Sequence, residues 1–494
     1  MARHPAFLSG LSILQTRPSL LMETTKTPGF SQAALCFGGI FLLISTGIFW
    51  LDINLHLLLI TALVWACLHG HRLGHSFQSM RSGMSEGIQK GLGAIYIFII
   101  IGMLVAAFIE SGTVAWLIYY GLEYLSPGLF LPVSLILCTL MSLATGTAWG
   151  TVATAGVVLL EIGSAMNIPL PLIAGVVISG ASCGDKMSPV SDTTNLSAMS
   201  AGAPLFRHIK VMAWTSTPAY TLTLLTFTLI GFSYTSEPNL PDSIQMMQSA
   251  LSSSFSISLL AVLPLVVLVI CSARRMAPEI AMLASILTAG FVAIAVQGVD
   301  VTQFLNSLQG GYKANTELET LNNLLSRGGI QSMMWTLSLC LIALALGGVL
   351  NKLGILTALL KGVISRVQST GSLIATTIST GFLSNMCLGE AYLSIILGGQ
   401  LYKKAYEKRE LDSAMLSRSL EEGATLTTGL IPWTTSGLFY SATLGVSVLE
   451  FAPWALFNLL SPMLAIIMVF LGIGIFKKRR TAQANTQDAE YLSE

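Results

Sequence analysis

Apolar residues run in blocks of membrane-spanning length along nearly the whole chain: near 33–51, 54–70, 91–110, 168–202, 211–233, 255–272, 279–297, 332–351, 416–446 and 451–476. About 20 consecutive apolar residues make a helix long enough to cross a bilayer. Two further blocks, 129–163 and 370–401, are interrupted in the middle, at TGTAWGT (Thr145–Thr151) and SNMCLGE (Ser384–Glu390). Small and polar residues at the centre of a long apolar run predict a chain that enters, turns and leaves on the same side. Each is therefore read as a re-entrant hairpin. The block from Ile168 carries the sharpest anomaly. Its segment GASCGDKMSPVSDTTNLSA, Gly180–Ala198, places Asp185, Lys186 and Asp192 around Pro189. A charge at the centre of a spanning helix costs roughly 2.5–3.5 kcal/mol on insertion scales. Three of them beside a proline predict an unwound segment facing a polar cavity, where the freed backbone groups are satisfied. An ordinary loop here would leave the apolar sequence on both sides unexplained.

The pattern repeats. Gly180-Ala181-Ser182 with Pro189 has a partner in Gly423-Ala424-Thr425 with Pro432, at an offset of 243 residues, and Gly112 has one in Gly354 at 242. The order of blocks also matches: two helices, an interfacial stretch (71–90 and 298–331), a helix, a short amphipathic helix, a hairpin, a broken helix, a closing helix. Each half makes five crossings, an odd number, so the halves are inverted. The predicted fold is an all-α polytopic membrane protein of two inverted repeats, each with a re-entrant hairpin and a broken transmembrane helix, an architecture of secondary transporters. The expected divisions are a cytoplasmic N-terminal tail (1–30), a first repeat (31–234), an extracytoplasmic linker (235–254), a second repeat (255–476) and a cytoplasmic C-terminal tail (477–494). With ten crossings and a cytoplasmic N-terminus, 22 of the 25 Lys and Arg fall on the cytoplasmic side. The positive-inside rule expects such a split.

Composition narrows the class further. The chain is 53% hydrophobic and 10% charged, which excludes an ordinary soluble domain. A net charge of +1 gives no footprint for nucleic acid. The seven cysteines are scattered and form no CxxC pair, so neither a disulfide framework nor a cysteine metal site is expected. Met1–Gly29 shows no cleavable signal peptide. No P-loop, nucleophile–base pair or metal-ligand cluster is visible, so the chain is not expected to be an enzyme and needs no cofactor. Ion gradients must supply its energy.

The candidate chemistry lies in the breaks and the tips. Asp185 and Asp192 are carboxylates able to bind either a hard cation such as Na⁺ or a proton, and that competition couples the two. Lys186 is the expected counter-charge. A different role for Asp185 is to cap the second half-helix. Ser188, Thr193, Thr194 and Asn195 supply neutral oxygens in the same segment. At the tips stand Thr147 with Thr145, Trp149 and Thr151, and Asn385 with Glu390. Glu390 is a single acid in an apolar run, which marks a functional residue. Before the second break come Glu421 and Glu422, of which Glu422 is taken as the ligand and one is expected to be interfacial; Thr434 and Thr435 lie within the break. Glu161 is expected at a solvated edge, and His69, His71 and His75 at a cytoplasmic helix end.

GDKMSPVSDTTNLSA closely resembles the signature of NhaC-type Na⁺/H⁺ antiporters, and TGTAWGTVATAG and GLIPWTTSG resemble that family's hairpin and second-half motifs. The resemblance runs from about residue 33 to the end of the apolar sequence. The chain departs from the family's usual pattern at Thr434-Thr435, Glu390-Ala391-Tyr392 and Gly398-Gly399. The resemblance implies a secondary active Na⁺/H⁺ antiporter of the inner membrane working by alternating access, with both termini cytoplasmic and a homodimeric assembly in the lipid bilayer. Similar proteins include sodium-coupled exchangers of malate and lactate and amino-acid carriers. A small organic anion or an amino acid is therefore the alternative cargo.

Overall fold

Glycine and proline set where the helices stop. The computed structural model describes residues 27–478 apart from 125, 190, 237–239, 275, 317, 319–320, 323–324 and 365–366. The first half runs α1 (Phe30–Phe49), α2 (Leu55–Arg72), α3 (Phe77–Lys90), α4 (Leu92–Glu110), α5 (Thr113–Tyr124), α6 (Pro127–Thr145), α7 (Ala148–Ala165), α8 (Leu170–Met187), α9 (Asp192–Ala201) and α10 (Leu205–Phe232). The second runs α11 (Leu240–Ser254), α12 (Leu263–Ala273), α13 (Pro278–Ala295), α14 (Val301–Gly310), α15 (Ile330–Lys352), α16 (Ile355–Ile364), α17 (Thr370–Leu388), α18 (Ala391–Lys408), α19 (Ser413–Leu420), α20 (Thr435–Leu444), α21 (Val448–Phe451) and α22 (Leu456–Phe470). A π turn, Glu421–Thr425, and a last α turn, Leu426–Thr428, extend α19 up to its break. Extended pairing among the described residues is limited to one bridge, Leu411–Lys477. The expected tails, 1–30 and 477–494, lie almost wholly outside the described residues.

This is a polytopic helical membrane protein. Among the described residues four helices, α1, α6, α7 and α15, are individually long and apolar enough to cross a membrane, and three bent pairs raise that to as many as seven. Of the ten crossings expected from sequence, α2, α10, α13 and the two broken helices are not singled out by length and hydropathy alone, whereas α6 and α7, the arms of an expected hairpin, are. The interfacial stretch 71–90 holds α3, whose Gly83 and Gly87 lie against the backbone of Gly348 in α15. Small residues are what let two membrane helices approach so closely.

Both interrupted blocks are helical hairpins. α6 ends on Gly146 at φ 70° and α17 on Gly389 at φ 69°, the left-handed cap that glycine adopts without penalty. Thr147 and Glu390 then cap the returning arms by accepting the backbone N–H groups of Gly150 and Tyr392. The second hairpin is longer than expected, its return arm reaching Lys408 rather than stopping near 401.

Each hairpin's first arm runs parallel to the first half of a broken helix. Gly180 of α8 sits on Leu135 of α6, where a Cβ would come 2.6 Å from the Leu135 carbonyl oxygen. Further along α6 the Ser142 hydroxyl donates to the Ala181 carbonyl at 2.6 Å. In the second half Gly423 lies on the Ile378 carbonyl, and the Asn385 amide donates to the Ala424 carbonyl at 2.6 Å. This register brings each tip level with its break. The breaks have a local cause. Pro189 and Pro432 follow residues that proline drives out of the α region. Ser188 accordingly adopts φ −81°, ψ 128°.

Candidate functional site

The two tips and the two breaks converge on one cavity of about 510 Å³. Asp185, Ser191, Asp192 and Thr193 line it from the first break, with Thr147 and Trp149 from the first tip. Glu390 and Tyr392 enter from the second tip, and Thr425, Thr428, Ser436 and Tyr440 from the second broken helix. Lys90 and Gly91, at the bend between α3 and α4, close one side. Trp149 is held in place by stacking on Phe439, with ring centroids 4.2 Å apart, and by donating its indole N–H to the Ser436 hydroxyl at 3.3 Å.

Around the first break the two aspartates differ. Asp185 is 7% exposed, inside the last turn of α8. Ser191 and Thr193 line the cavity with it. Asp192 opens α9 and is exposed to the cavity. The structure rules out Asp185 as the cap of the second half-helix. Ser191 fills that position, its hydroxyl accepting the Thr194 N–H at 3.4 Å. Ser191 immediately precedes the first residue of α9, whereas Asp185 lies back inside α8. Thr194 does not face the cavity; its hydroxyl bonds back to the carbonyls of Asp185 (3.3 Å) and Lys186 (3.2 Å). Asn195 likewise holds the turn, donating to the carbonyls of Pro189 and Ser191. Ser188 is buried and donates to the Leu143 carbonyl at 2.8 Å, tying the break to the first tip.

At the second tip the Glu390 carboxylate, 9% exposed, accepts the Thr435 hydroxyl at 2.7 Å. The Thr435 N–H bonds the Gly389 carbonyl. Thr434 caps α20 through the Gly437 N–H and donates to the carbonyls of Thr428 and Ile431. Asn385 binds the backbone of Ala424 and the Thr427 hydroxyl, so its role is to tie tip to break. Thr428, by contrast, is 4% exposed, lines the cavity, and keeps a hydroxyl with no partner among the described residues.

Several expectations are corrected here. Lys186 is not the counter-charge of the aspartates. Its ammonium pairs with Glu422 at 2.8 Å, with both side chains 0% exposed. The Thr215 and Ser461 hydroxyls donate to the same carboxylate, and Lys186 also donates to Ser461. Glu422 is therefore committed to a neutral buried pair and is not an open ligand. Nor is either adjacent glutamate interfacial. The neighbouring Glu421 is also 0% exposed, and accepts from Thr193 (3.2 Å) and Ser197 (2.5 Å) of the first broken helix. Finally, Glu161 is not at a solvated edge. It is 5% exposed and pairs with Arg327 at 3.3 Å, where a loop meets the first hairpin. His71 is exposed, as expected of a helix end, but His69 is buried and bonds the Trp65 carbonyl.

Sequence reasoning named Trp149 and Glu421 without choosing either as a ligand, and gave Tyr392 and Tyr440 on the cavity wall no role. Tyr392 stands two residues after Glu390, and the pair Glu421-Glu422 was visible; both turn toward the first half, Glu421 to Thr193 and Ser197 and Glu422 to Lys186 and Thr215. Tyr440 left no signal. The assembled site offers carboxylates, hydroxyls and a basic rim at Lys90. Among the described residues no lysine or arginine forms an ion pair with Asp185, Asp192 or Glu390. That arrangement suits a cation.

Comparison with known proteins agrees with this chemistry. The family model described as the Na⁺/H⁺ antiporter family matches residues 30–210 and 184–473. The chain is 38% identical to the Na⁺/H⁺ antiporter NhaC of Alkalihalophilus pseudofirmus, over 93% of this chain and 99% of the relative. It is 34% identical to the malate-2H⁺/Na⁺-lactate antiporter of Bacillus subtilis, over 94% and 99%. To the Na⁺/H⁺ antiporter NhaC of Bacillus subtilis it is 35% identical, over 91% and 100%.

Proposed function

The chain belongs to the Na⁺/H⁺ antiporter family, and from that premise we propose that it exchanges Na⁺ for H⁺ by alternating access, with both ions competing for the Asp185 carboxylate. The single observation that carries this reading is a buried carboxylate, in no ion pair, on the wall of a cavity built from both breaks and both tips. A carboxylate buried at a cavity that ions can enter, with no counter-charge beside it, can take up a proton or a cation there. Asp192, exposed in the same cavity, receives the ion on its way to Asp185. Ser191, Thr193 and Thr147 supply neutral oxygens, and Glu390 with Thr435 forms the opposite wall. Lys186 and Glu422 hold the two broken helices together.

The architecture fits. The contacts shared at an offset of 243 residues support two repeats of one unit, and the odd number of crossings per unit makes them inverted. A homodimer in the inner membrane with both termini cytoplasmic completes the reading. The cavity is large for a bare ion, which favours a second reading in which a small organic solute travels with Na⁺. Three carboxylates line the cavity against one lysine, Lys90. A dianion such as malate would meet repulsion there, so the ion-only reading leads; a zwitterionic amino acid is the better organic candidate. Proteoliposomes carrying a pH indicator decide between them. Na⁺-driven proton flux with no organic solute present is the expected result. Flux that appears only when malate, lactate or an amino acid is added would replace it with the second reading.

A further inference from the structure

A threonine hydroxyl has one proton and can point it in one direction only. Thr193 lies on the cavity wall beside Asp185, and its hydroxyl reaches across to the second broken helix. If that proton faced the cavity, the site would present a donor to an incoming cation. Glu421 prevents this. Its carboxylate is 0% exposed, lies behind the wall rather than on it, and takes the Thr193 proton at 3.2 Å. Ser197, one turn further along α9, donates to the other carboxylate oxygen at 2.5 Å and fixes the glutamate's orientation. Ser191 stands 3.2 Å from the Thr193 oxygen and caps α9, so the hydroxyl is held at both ends.

We propose that Glu421 is a positioning residue for the exchanged cation: by accepting the Thr193 proton it leaves Ser191 to donate to one lone pair of that hydroxyl and turns the other into the cavity, where it faces Na⁺ beside Asp185. It acts through Thr193 and does not touch the ion. Adjacent helical residues point about 100° apart, so at the start of the π turn Glu421–Thr425 the two glutamates serve different partners, Glu422 facing Lys186 and Glu421 facing α9. Partners that orient a ligand change ion affinity by roughly 10–100-fold when removed. Gln at this position donates as well as accepts, so its amide competes to turn the hydroxyl the wrong way.

The inference rests on the antiport reading, and the test separates the two. Na⁺ binding to the purified, monodisperse full-length chain is measured by calorimetry for wild type, Glu421→Gln, Thr193→Val and the double variant. Each single variant is expected to weaken Na⁺ binding by about tenfold, and the double variant by no more than Thr193→Val alone. A purely structural glutamate would instead give losses that multiply. Multiplying losses, or wild-type affinity in Glu421→Gln, would overturn the proposal. If Glu421→Gln does not yield monodisperse protein, Glu421→Asp draws the carboxylate back while keeping its charge. It should show the same loss and the same lack of additivity with Thr193→Val, and wild-type affinity there would overturn the proposal equally. No Na⁺ binding by the wild-type chain would fail the antiport reading itself.

Discussion

The two broken helices share a backbone and divide the charge. At an offset of 243 residues, Gly180 and Gly423 lie on the carbonyls of Leu135 and Ile378, and Ala181 and Ala424 accept from Ser142 and Asn385 at 2.6 Å each. Gly146 and Gly389 turn the hairpins at φ 70° and 69°, and Gly202 and Gly445 end the second half-helices at φ 71° and 66°. Ser191 and Thr434 cap the second half-helices. The acids do not follow this correspondence. Asp185 and Asp192 of the first half stand where the second has Thr428 and Thr435, and Glu390 stands where the first has Thr147. Each carboxylate therefore has a hydroxyl at the matching place. Small residues and caps are demanded by the geometry of close packing and are needed twice. A cation needs a limited negative charge, and carboxylates at every matching position would concentrate far more of it in one cavity. The difference teaches that the matched positions of the two halves specify a frame and that the acids lining the cavity fill it asymmetrically.

The largest expected effect tests that asymmetry directly. Asp185→Asn keeps shape and removes the titrating charge, so Na⁺-driven proton flux in proteoliposomes should fall to background. Thr428→Val, at the matching position, should cost less than about tenfold, the lower end of what supporting groups contribute. Equal losses would make the site symmetric. Asp192→Asn should retain measurable Na⁺ binding, because that residue is exposed and Asp185 is not. In wild type, apparent Na⁺ affinity should weaken as pH falls, since protons occupy the same oxygens.

Next in size is the bond between the breaks. Removing one partner of a buried ion pair leaves an uncompensated charge and costs about 3–5 kcal/mol. Lys186→Met should lower the thermal transition strongly. Pairing it with Glu422→Leu should recover most of the loss, because well-packed apolar residues often replace a buried pair at little cost. A double variant as unstable as the single would mean that the charges themselves, and not their balance, hold the breaks together.

The matched glycines come third. Gly180→Ala and Gly423→Ala each push a methyl onto a backbone carbonyl and should destabilise by about 1–3 kcal/mol. Similar thermal shifts are expected; a shift in one alone would break the correspondence. The caps are last. Ser191→Ala and Thr434→Ala should each cost about 0.5–2 kcal/mol, read as small, comparable falls in the thermal transition.

Much of this is legible in the order of residues alone. The apolar blocks place the helices because a membrane helix must be apolar over its whole length, a demand that composition meets openly. The hairpin turns and both breaks are visible as glycine, proline and polar residues where apolar ones are expected. Asp185, Asp192, Thr193, Thr147 and Glu390 stand out in the same way and do line one cavity. Thr194, Asn195, Asn385 and Thr434 stand out with them, yet they bond backbone and hold the turns. A hydroxyl or amide in an unwound segment serves either purpose, and residue type does not say which.

By itself, the sequence determined a polytopic helical protein with two interrupted hairpins, two broken helices and acids at their centre. Its reasons are local: hydropathy, glycine's left-handed turns and proline's lost N–H act on the residues beside them. Only the tertiary structure decided which charges meet. Lys186 lies next to Asp185 in the chain but pairs with Glu422, and Glu421 rather than Glu422 reaches Thr193. Adjacent helical residues point about 100° apart, so one neighbour faces the cavity and the next faces another helix. Which helix stands there is set by contacts between residues far apart in the chain, such as Ser197 with Glu421, 224 positions away.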